Sequence, residues 1–595
     1  MKALQTLTPY LRPYRAGILQ GLVLVIVSNA LNLAVPFFIK QGIDALDDPG
    51  EAATAPLRYA MLVVVVALLG GVARYGMREL LNGISRRVEY DLRNDFFRHL
   101  LRMDPGFFGS VQTGDIMSRA TNDIQAVRMA AGPAYMYLVN TVVISILALS
   151  LMFWIDPRLT LLALIPMVLL PPVTVGFGKA IHSRFERIQD QFGILSTVVQ
   201  ENLAGARIVK AYTQEGAQVE RFRSLSHNYL ERNLELARVS GMFHPFLGLL
   251  GGLGMVIVLW IGGMSVMRGT LTVGDFIAFG LYLGMLVWPL IALGWVVNLF
   301  QRGAASMARL NRIFAAEPSI TDPPHPTGPE VVSGEIELRN VSFRYPGTER
   351  WVLRNVSFHV PAGATLAIVG PTWSGKSTLV NLLVRMYDPT EGEVRLDGTA
   401  LHRFPLERLR ALIGIVPQDP FLFSDTIREN LALGFDEPNL EAREARVRHA
   451  ARIAQLDTTV AELPAGYDTR LGERGINLSG GQKQRATLAR ALARDPRLLI
   501  LDDALSAVDT HTEWEILHGL REVFEGRTSV IVSHRVKAVM DADLIVVLDA
   551  GEVAEQGTHT ELLAGDGLYA ALQHRQLLAE DLDAEDVLAP ARNDL

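Results

Sequence analysis

The chain of 595 residues contains no cysteine. That absence excludes disulfide scaffolds, thiolate zinc sites and thiol nucleophiles together. Charge is sparse too, with charged side chains at 20% and a formal net charge of −7. So mild a balance supplies no basic surface of the kind that nucleic acid requires, and no nucleic-acid partner is expected. Apolar residues, at 49%, are far too many for a disordered chain. One core cannot absorb them either, because single cores stop growing near ~250–300 residues.

In the first half the missing charge is concentrated in long runs. Gly17–Phe38, Met129–Ile155, Leu159–Gly178 and Phe276–Gln301 hold no charged residue, and Val239–Met267 is interrupted only by His244. Crossing a hydrocarbon core of ~30 Å takes about 20 helical residues, so each run is long enough to span. Ala60–Ala73 is short, ending at Arg74, but a span there lets the two long charged loops share one side. Six transmembrane helices are therefore expected. Residues 74–128 and 179–238 each carry nine Lys and Arg, against two, one and one in 39–59, 156–158 and 268–275. The positive-inside bias puts both loops and the N-terminus, with Lys2, Arg12 and Arg15, in the cytoplasm of a cytoplasmic-membrane protein. Asp44, Asp47, Asp48 and Glu51 suit an outer loop. The first run exceeds a signal-peptide core and no small-residue cleavage site follows, so it reads as an anchor. Within the loops, Arg86–Met103 and Phe192–Val209 repeat apolar residues at helical steps, which extends the spans beyond the bilayer.

Glu317–Glu335 is rich in Pro and Gly and aperiodic, as linkers are. Short β-like runs follow (Ile336–Leu338, Val352–Val360, Ala364–Val369), later alternating with helical segments, the pattern of an α/β domain. The expected organisation is a membrane domain at 1–315, a linker at 316–334, a nucleotide domain at 335–577 and an acidic tail at 578–595.

The third β-like run enters Gly370-Pro371-Thr372-Trp373-Ser374-Gly375-Lys376-Ser377-Thr378. This is G-x-x-x-x-G-K-[ST] between a strand and a helix, the setting in which that spacing cradles phosphate. Backbone N–H groups wrap the phosphate chain, Lys376 neutralises β and γ oxygens, and the Ser377 hydroxyl ligates Mg²⁺. Further on, Arg497–Asp503 is an apolar strand ending in two carboxylates, of which Asp502 takes the metal role. Between them Ser479, Gly480, Gly481 and Gln482 open a helix, and free amides at such a start bind anions.

Phosphate loop, LSGGQ and LLILDD in this order resemble the nucleotide-binding domain of ATP-binding cassette transporters. Six spans with two long loops ahead of it resemble the exporter half-transporters, the multidrug exporters and lipid A flippase among them. The implied fold is a six-helix α-helical membrane domain fused to an α/β P-loop domain, using ATP and Mg²⁺. The resemblance assigns Tyr345 to adenine stacking and Gln418 to the Mg²⁺ and γ-phosphate region. It makes His534 the switch histidine, Asp509 the D-loop acid and Glu473 a contact to the membrane domain's loops. Thr113–Ile124 and Lys210–Glu215 resemble the coupling helices.

Two positions depart from that family. Asp503 stands where Glu usually polarises the attacking water. A base one methylene short is misplaced, and ~1 Å can cost ~100-fold in rate, roughly 2.7 kcal/mol of barrier. Trp373 stands where Gly is usual: either it weakens nucleotide binding, or it points outward and is tolerated, or it is an engineered change. In the family each ATP lies between one chain's P-loop and the other's LSGGQ. An intact Leu478–Gln482 beside an altered P-loop and base implies the degenerate half of a heterodimer, a homodimer being the other arrangement. The expected activity is ATP-driven export of hydrophobic or amphipathic drugs, lipids or peptides by alternating access, with slow turnover at this chain's own site. The alternative is an ATP-gated channel or regulatory subunit. Phe243, Trp288 and Trp295 are candidate cavity residues, and His244 and Asn298 are polar at membrane depth. The acidic tail is a solvated terminus or a clasp for a partner.

Overall fold

In the computed structural model residues 2–46 and 54–577 are described. Asp47, Asp48, Glu51 and the acidic tail lie outside the described residues. The chain divides into two compact units, one holding Met1–Leu101 and Thr113–Ala316, the other Arg102–Gln112 and Glu317–Leu595.

Among the described residues, the first unit contains six helical stretches long and apolar enough to cross a membrane: Lys2–Asp44, Ala55–Leu100, Thr113–Ile155, Pro157–Ala204, Glu215–Met267 and Val273–Phe314. The short apolar run Ala60–Ala73 belongs to one uninterrupted helix of 46 residues. At 1.5 Å per residue that helix is about 69 Å long, more than twice the hydrocarbon thickness.

Local chemistry fixes where the stretches begin. Asp156 caps the fourth, its carboxylate accepting from the backbone N–H of Arg158 and Leu159, with Pro157 at the first helical position. Thr272 and Asp275 form a reciprocal capping box at the start of the sixth. Asp44, at the end of the first, accepts from Gly274 N at 3.0 Å and Thr272 Oγ1 at 3.1 Å, and Lys40 pairs with Asp275 at 2.6 Å. The first and sixth stretches are thus clamped together at one end.

Between membrane helices apolar burial gives little discrimination against lipid, so close approach of small residues holds the bundle. A Cβ on Gly132 would stand 2.3 Å from Ser85 Cβ, and one on Gly303 2.3 Å from Ala130 Cβ. Both contacts involve the third stretch where its helix widens into a π turn at Ala130–Ala134, around Pro133. A second π turn, Arg119–Asp123, delivers Asp123 to Arg309 Nε on the sixth stretch at 2.8 Å.

Among the described residues, the second unit carries two sheets. Strands β1 (Ile336–Phe343), β2 (Leu353–Val360), β4 (Glu391–Leu396) and β5 (Thr399–Ala400) form an antiparallel sheet in the order β2-β1-β4-β5. Strands β3 (Thr365–Val369), β6 (Ile413–Val416), β7 (Leu498–Asp502), β8 (Thr528–Val532), β9 (Leu544–Asp549) and β10 (Glu552–Gly557) form the other, in the order β10-β9-β3-β8-β7-β6. Its four inner pairings from β9 to β6 are parallel, and β10 closes the edge antiparallel. Strands β7 and β8 are buried at every position, as strands covered on both faces must be.

Gly303→Val and Gly132→Leu are expected to force the third stretch away from its neighbours. Overpacking of this kind costs about 1–3 kcal/mol, to be read as a lowered thermal midpoint of the detergent-solubilised protein; an unchanged midpoint would refute the close-packing account.

Candidate nucleotide-binding site

The loop after β3, the segment after β8, the end of β7 and the segment after β6 all lie at the carboxyl edge of one parallel sheet. That edge is where open α/β sheets place ligands. It gathers Gly370–Thr378, His534, Asp502 with Asp503, and Gln418 from four separate stretches of sequence. The register pairs Asp502 directly with Val532, two residues before His534.

Gly370 leaves β3 at φ +150, where a Cβ would stand 2.1 Å from Leu548 O. Gly375 caps α1 (Lys376–Leu383) at φ +103. Only glycine fits the first position and only glycine is unstrained at the second. Between them the loop closes on its own lysine: Lys376 Nζ donates to Gly370 O at 2.9 Å and Pro371 O at 2.7 Å, and Ser374 is buried. The ammonium, 6% exposed, has its pKa lowered by burial, with Asp502 and Asp503 opposing the shift. A buried cation held chiefly by carbonyl dipoles is a receptor for anionic oxygen, so the loop fits a polyphosphate.

Asp502 is 7% exposed and its carboxylate lies 3.5 Å from Ser377 Oγ. Burial raises its pKa; Asp503 pushes the same way, while the Ser377 hydrogen bond, Lys376 and His534 oppose. A buried carboxylate beside a hydroxyl, with few donors to satisfy it, is a hard-oxygen set suited to Mg²⁺. Asp503 takes φ +48, a left-handed conformation that Asp adopts more readily than most residues. Its backbone is engaged, N–H to Val532 O at 2.9 Å and C=O to Ser506 Oγ at 3.0 Å.

Trp373 also takes a left-handed conformation, φ +69, and its indole is 90% exposed. The backbone keeps a glycine-like path and the ring stands outward, so the cradle's shape is retained at a strain of roughly 1–2 kcal/mol. Tyr345 reaches the loop, its hydroxyl 3.0 Å from Thr378 Oγ1 and its ring edge-on to Tyr387 and Phe343. His534 and Gln418 are exposed. The backbone beyond His534 is held by Gln576, which bonds His534 O and accepts from Val536 N at 2.8 Å, and by the Arg535–Glu513 pair.

Ser479 caps α2 (Gly480–Ala493) in a capping box with Gln482. This leaves the exposed start of α2 to present its amides, while a Cβ on Gly481 would stand 2.8 Å from Ala507 O. Gly480 and Gly481 pack against Ala507 and Val508, not against the chain's own phosphate loop. Asp509 caps α3 (Thr510–Phe524). Glu473 is exposed on a short turn. Two ties escaped the sequence reading. Gln484 on α2 bonds Ser506 Oγ and Ala507 N, both at 2.9 Å, and Arg490 bonds Phe421 O and Asn430 O, both at 2.8 Å.

Of the sequence-predicted segments, Thr113–Ser118 is helical within the first unit, whereas the neighbouring helix Pro105–Ser110 belongs to the second. Asp104, which caps that helix, accepts from Ser319 N and Oγ, each at 2.7 Å. Lys210 and Ala211 end a separate helical turn. In the membrane unit Trp288 and Trp295 meet around Tyr137 at 6.3 and 5.1 Å, and Phe243 meets Phe177 at 5.5 Å. Tyr137 and Phe177 carried no sequence signal, since aromatics in apolar runs are unremarkable. His244 and Asn298 are exposed in the single chain.

A phosphate loop and a buried carboxylate at one sheet edge, fused to six apolar helices, define a membrane-bound P-loop ATPase. Comparison with known proteins gives the family: residues 18–290 match the ABC transporter transmembrane region and residues 353–506 the ABC transporter domain. The chain is 38% identical to a probable multidrug resistance ABC transporter ATP-binding/permease protein of Bacillus subtilis, covering 94% of this chain and 95% of that one. It is 37% identical to the multidrug resistance-like ATP-binding protein MdlA of Escherichia coli, covering 98% of each. It is 35% identical to an ATP-dependent lipid A-core flippase of Syntrophus aciditrophicus, covering 98% and 95%. A solved bacterial Atm1-family ABC exporter with ATP bound superposes with a TM-score of 0.76 at 30% identity, over 95% of this chain and 98% of that one. The chain belongs to the ABC transporters, as an exporter half-transporter with ATP-hydrolysing activity.

The raised pKa of Asp502 means that it takes up a proton at higher pH than an ordinary aspartate as pH falls. Metal-dependent ATP affinity is expected to weaken on acidification before affinity measured without Mg²⁺ does, by titration at a series of pH values. Trp373→Gly removes the left-handed strain and is expected to raise the midpoint of thermal unfolding of the nucleotide unit by a few degrees without loss of ATP affinity.

Proposed function

We propose that the chain is the degenerate-site half of a heterodimeric exporter of hydrophobic or amphipathic substrates, multi-pass in the cytoplasmic membrane with its nucleotide unit in the cytoplasm. The observation that carries the proposal is an asymmetry within one chain. The start of α2 keeps its capping box and free amides, whereas the chain's own site has a shortened acid at 503 and an exposed indole at 373.

Roles follow from chemistry. Lys376 and the amides of Gly370–Thr378 hold the β and γ phosphates, and Tyr345 stacks on the adenine. Ser377, Asp502 and Gln418 would hold Mg²⁺, which when bound supplies charge neutralisation at those phosphate oxygens. His534 contacts the γ-phosphate and Asp503 orients water poorly, because its carboxylate stops one methylene short. Ser479, Gly480, Gly481 and Gln482 serve the partner chain's ATP, and Asp509 lies in the segment tied to them through Gln484. Export of apolar compounds is supported by the aromatic groups around Tyr137 and Phe177 on the spans, and by the multidrug and lipid A flippase names of the relatives.

Asp503→Glu is expected to raise ATP hydrolysis at this chain's site by about 100-fold, measured with the partner's own catalytic acid neutralised. Affinity purification of the chain from native membrane should bring down a second half-transporter bearing Glu at the matching position. A rapid ATPase composed of this chain alone would refute the heterodimer.

A further inference from the structure

Among the described residues, the N-terminal segment Lys2–Tyr14 is a series of short helical turns lying across the first unit. Three side-chain bonds pin it. Thr6 Oγ1 and Asn311 meet on the sixth stretch at 3.1 Å, Tyr10 Oη donates to Asp95 at 3.0 Å, and Tyr14 Oη donates to Asp91 at 3.0 Å. The strap is therefore fixed at once to the second and the sixth stretches.

Under it lies a cavity of about 300 Å³. Leu4, Leu7 and Leu11 of the strap form its roof, the π turn at Ala130–Ala134 one wall, and Leu81 and Phe300 the rest. Tyr135, at the mouth, is the one lining side chain with a polar group. An apolar cleft of this size left unfilled leaves its lining atoms short of dispersion contacts, so an apolar occupant is favoured there. The π turn widens the helix where the cleft begins, so the space is built by the backbone.

Location and charge select the occupant. The strap runs directly into the apolar stretch that opens at Gly17, which places the cavity at the lipid–water boundary. Lys2, Arg12 and Arg15 are exposed on or beside the strap, and Arg87 lies over the Tyr14 ring at 5.9 Å. The facing acids, Asp91 and Asp95, are each engaged by a tyrosine hydroxyl. Apolar space below and exposed cations beside it, in no salt bridge among the described residues, match an acyl chain carrying an anionic headgroup.

We propose that this cavity binds one acyl chain of an anionic phospholipid, whose headgroup the Arg12 and Arg15 guanidinium groups receive. The lipid then fills the gap between strap, second, third and sixth stretches and is a structural ligand distinct from transported substrate.

The test reconstitutes the intact transporter in vesicles of phosphatidylglycerol and phosphatidylcholine in equal parts, then counts retained lipid by native mass spectrometry after extraction. The wild type is expected to retain phosphatidylglycerol selectively. Ala131→Phe, which places a ring in the cavity, should lose that lipid. Arg12→Gln and Arg15→Gln, which leave the cavity open, should each lower the preference for phosphatidylglycerol about fivefold. Equal retention of both lipids by the wild type would overturn the proposal. So would undiminished retention in Ala131→Phe, or unaltered selectivity in the arginine variants, or recovery of a neutral non-lipid compound competed out by filling the cavity.

Discussion

Parallel strands must all end on the same edge, and the nucleotide unit depends on that geometric constraint. Four strands distant in sequence deliver a phosphate loop, two carboxylates, a histidine and a glutamine to one line, and none of these residues needs to find the others by loop flexibility. The hydrogen-bond ladder from β3 through β8 to β7 fixes their relative heights, as in the pairing of Asp502 with Val532. Burying β7 and β8 on both faces makes the edge rigid, and rigidity gives the few charges their effect. Lys376 and Asp502 are held close to burial before any ligand arrives, so the desolvation cost is met in folding and the attraction is realised on binding.

The same unit holds two glycine-opened segments of different character, the phosphate loop and the start of α2. The carboxyl edge of the parallel sheet carries Trp373 and Asp503 in left-handed conformations, two sites of local strain beside the phosphate loop and at the end of β7. Helix α2 has no left-handed residue between Gly480 and Ala493, and its start is closed by the Ser479–Gln482 capping box. Yet the two are joined: Gln484 ties the helix to the residues following Asp503, and Arg490 ties it to the segment that starts at Gln418. Arg490 remains charged although burial lowers its pKa to about 10, so these bonds persist across the physiological range.

Legibility in the sequence varied with the range of the physics involved. The six stretches could be read because hydrocarbon thickness imposes a length on apolar runs, and the phosphate loop because its glycines answer a local steric demand. The helix opened by Ser479 is likewise a local signal, whereas the caps at Asp156 and Thr272 emerge from the structure. Ala60–Ala73 looked short because charge-free length was the only gauge, while the helix itself continues through Arg74 to Leu100. Tyr137 beside Trp295, Gln576 beside His534 and the grouping of Arg102–Gln112 with the nucleotide unit arise from contacts between segments far apart in sequence. Composition and periodicity carry no record of such contacts. Trp373 was open among three readings until its φ and exposure showed a ring turned outward on a glycine-like backbone.

The helix Ala55–Leu100 ends one residue before the strip Arg102–Gln112, which packs with the nucleotide unit through Asp104 and Ser319. Seen as a beam, it has no proline beyond Pro56 in its first turn, and the part beyond the bilayer is about 39 Å long. A tilt of about 10° about the membrane surface therefore carries its far end through about 7 Å, more than a full helical turn. Stiffness, not strength of contact, sets that gain: a small rotation of the helix near the bilayer becomes a large displacement at its far end.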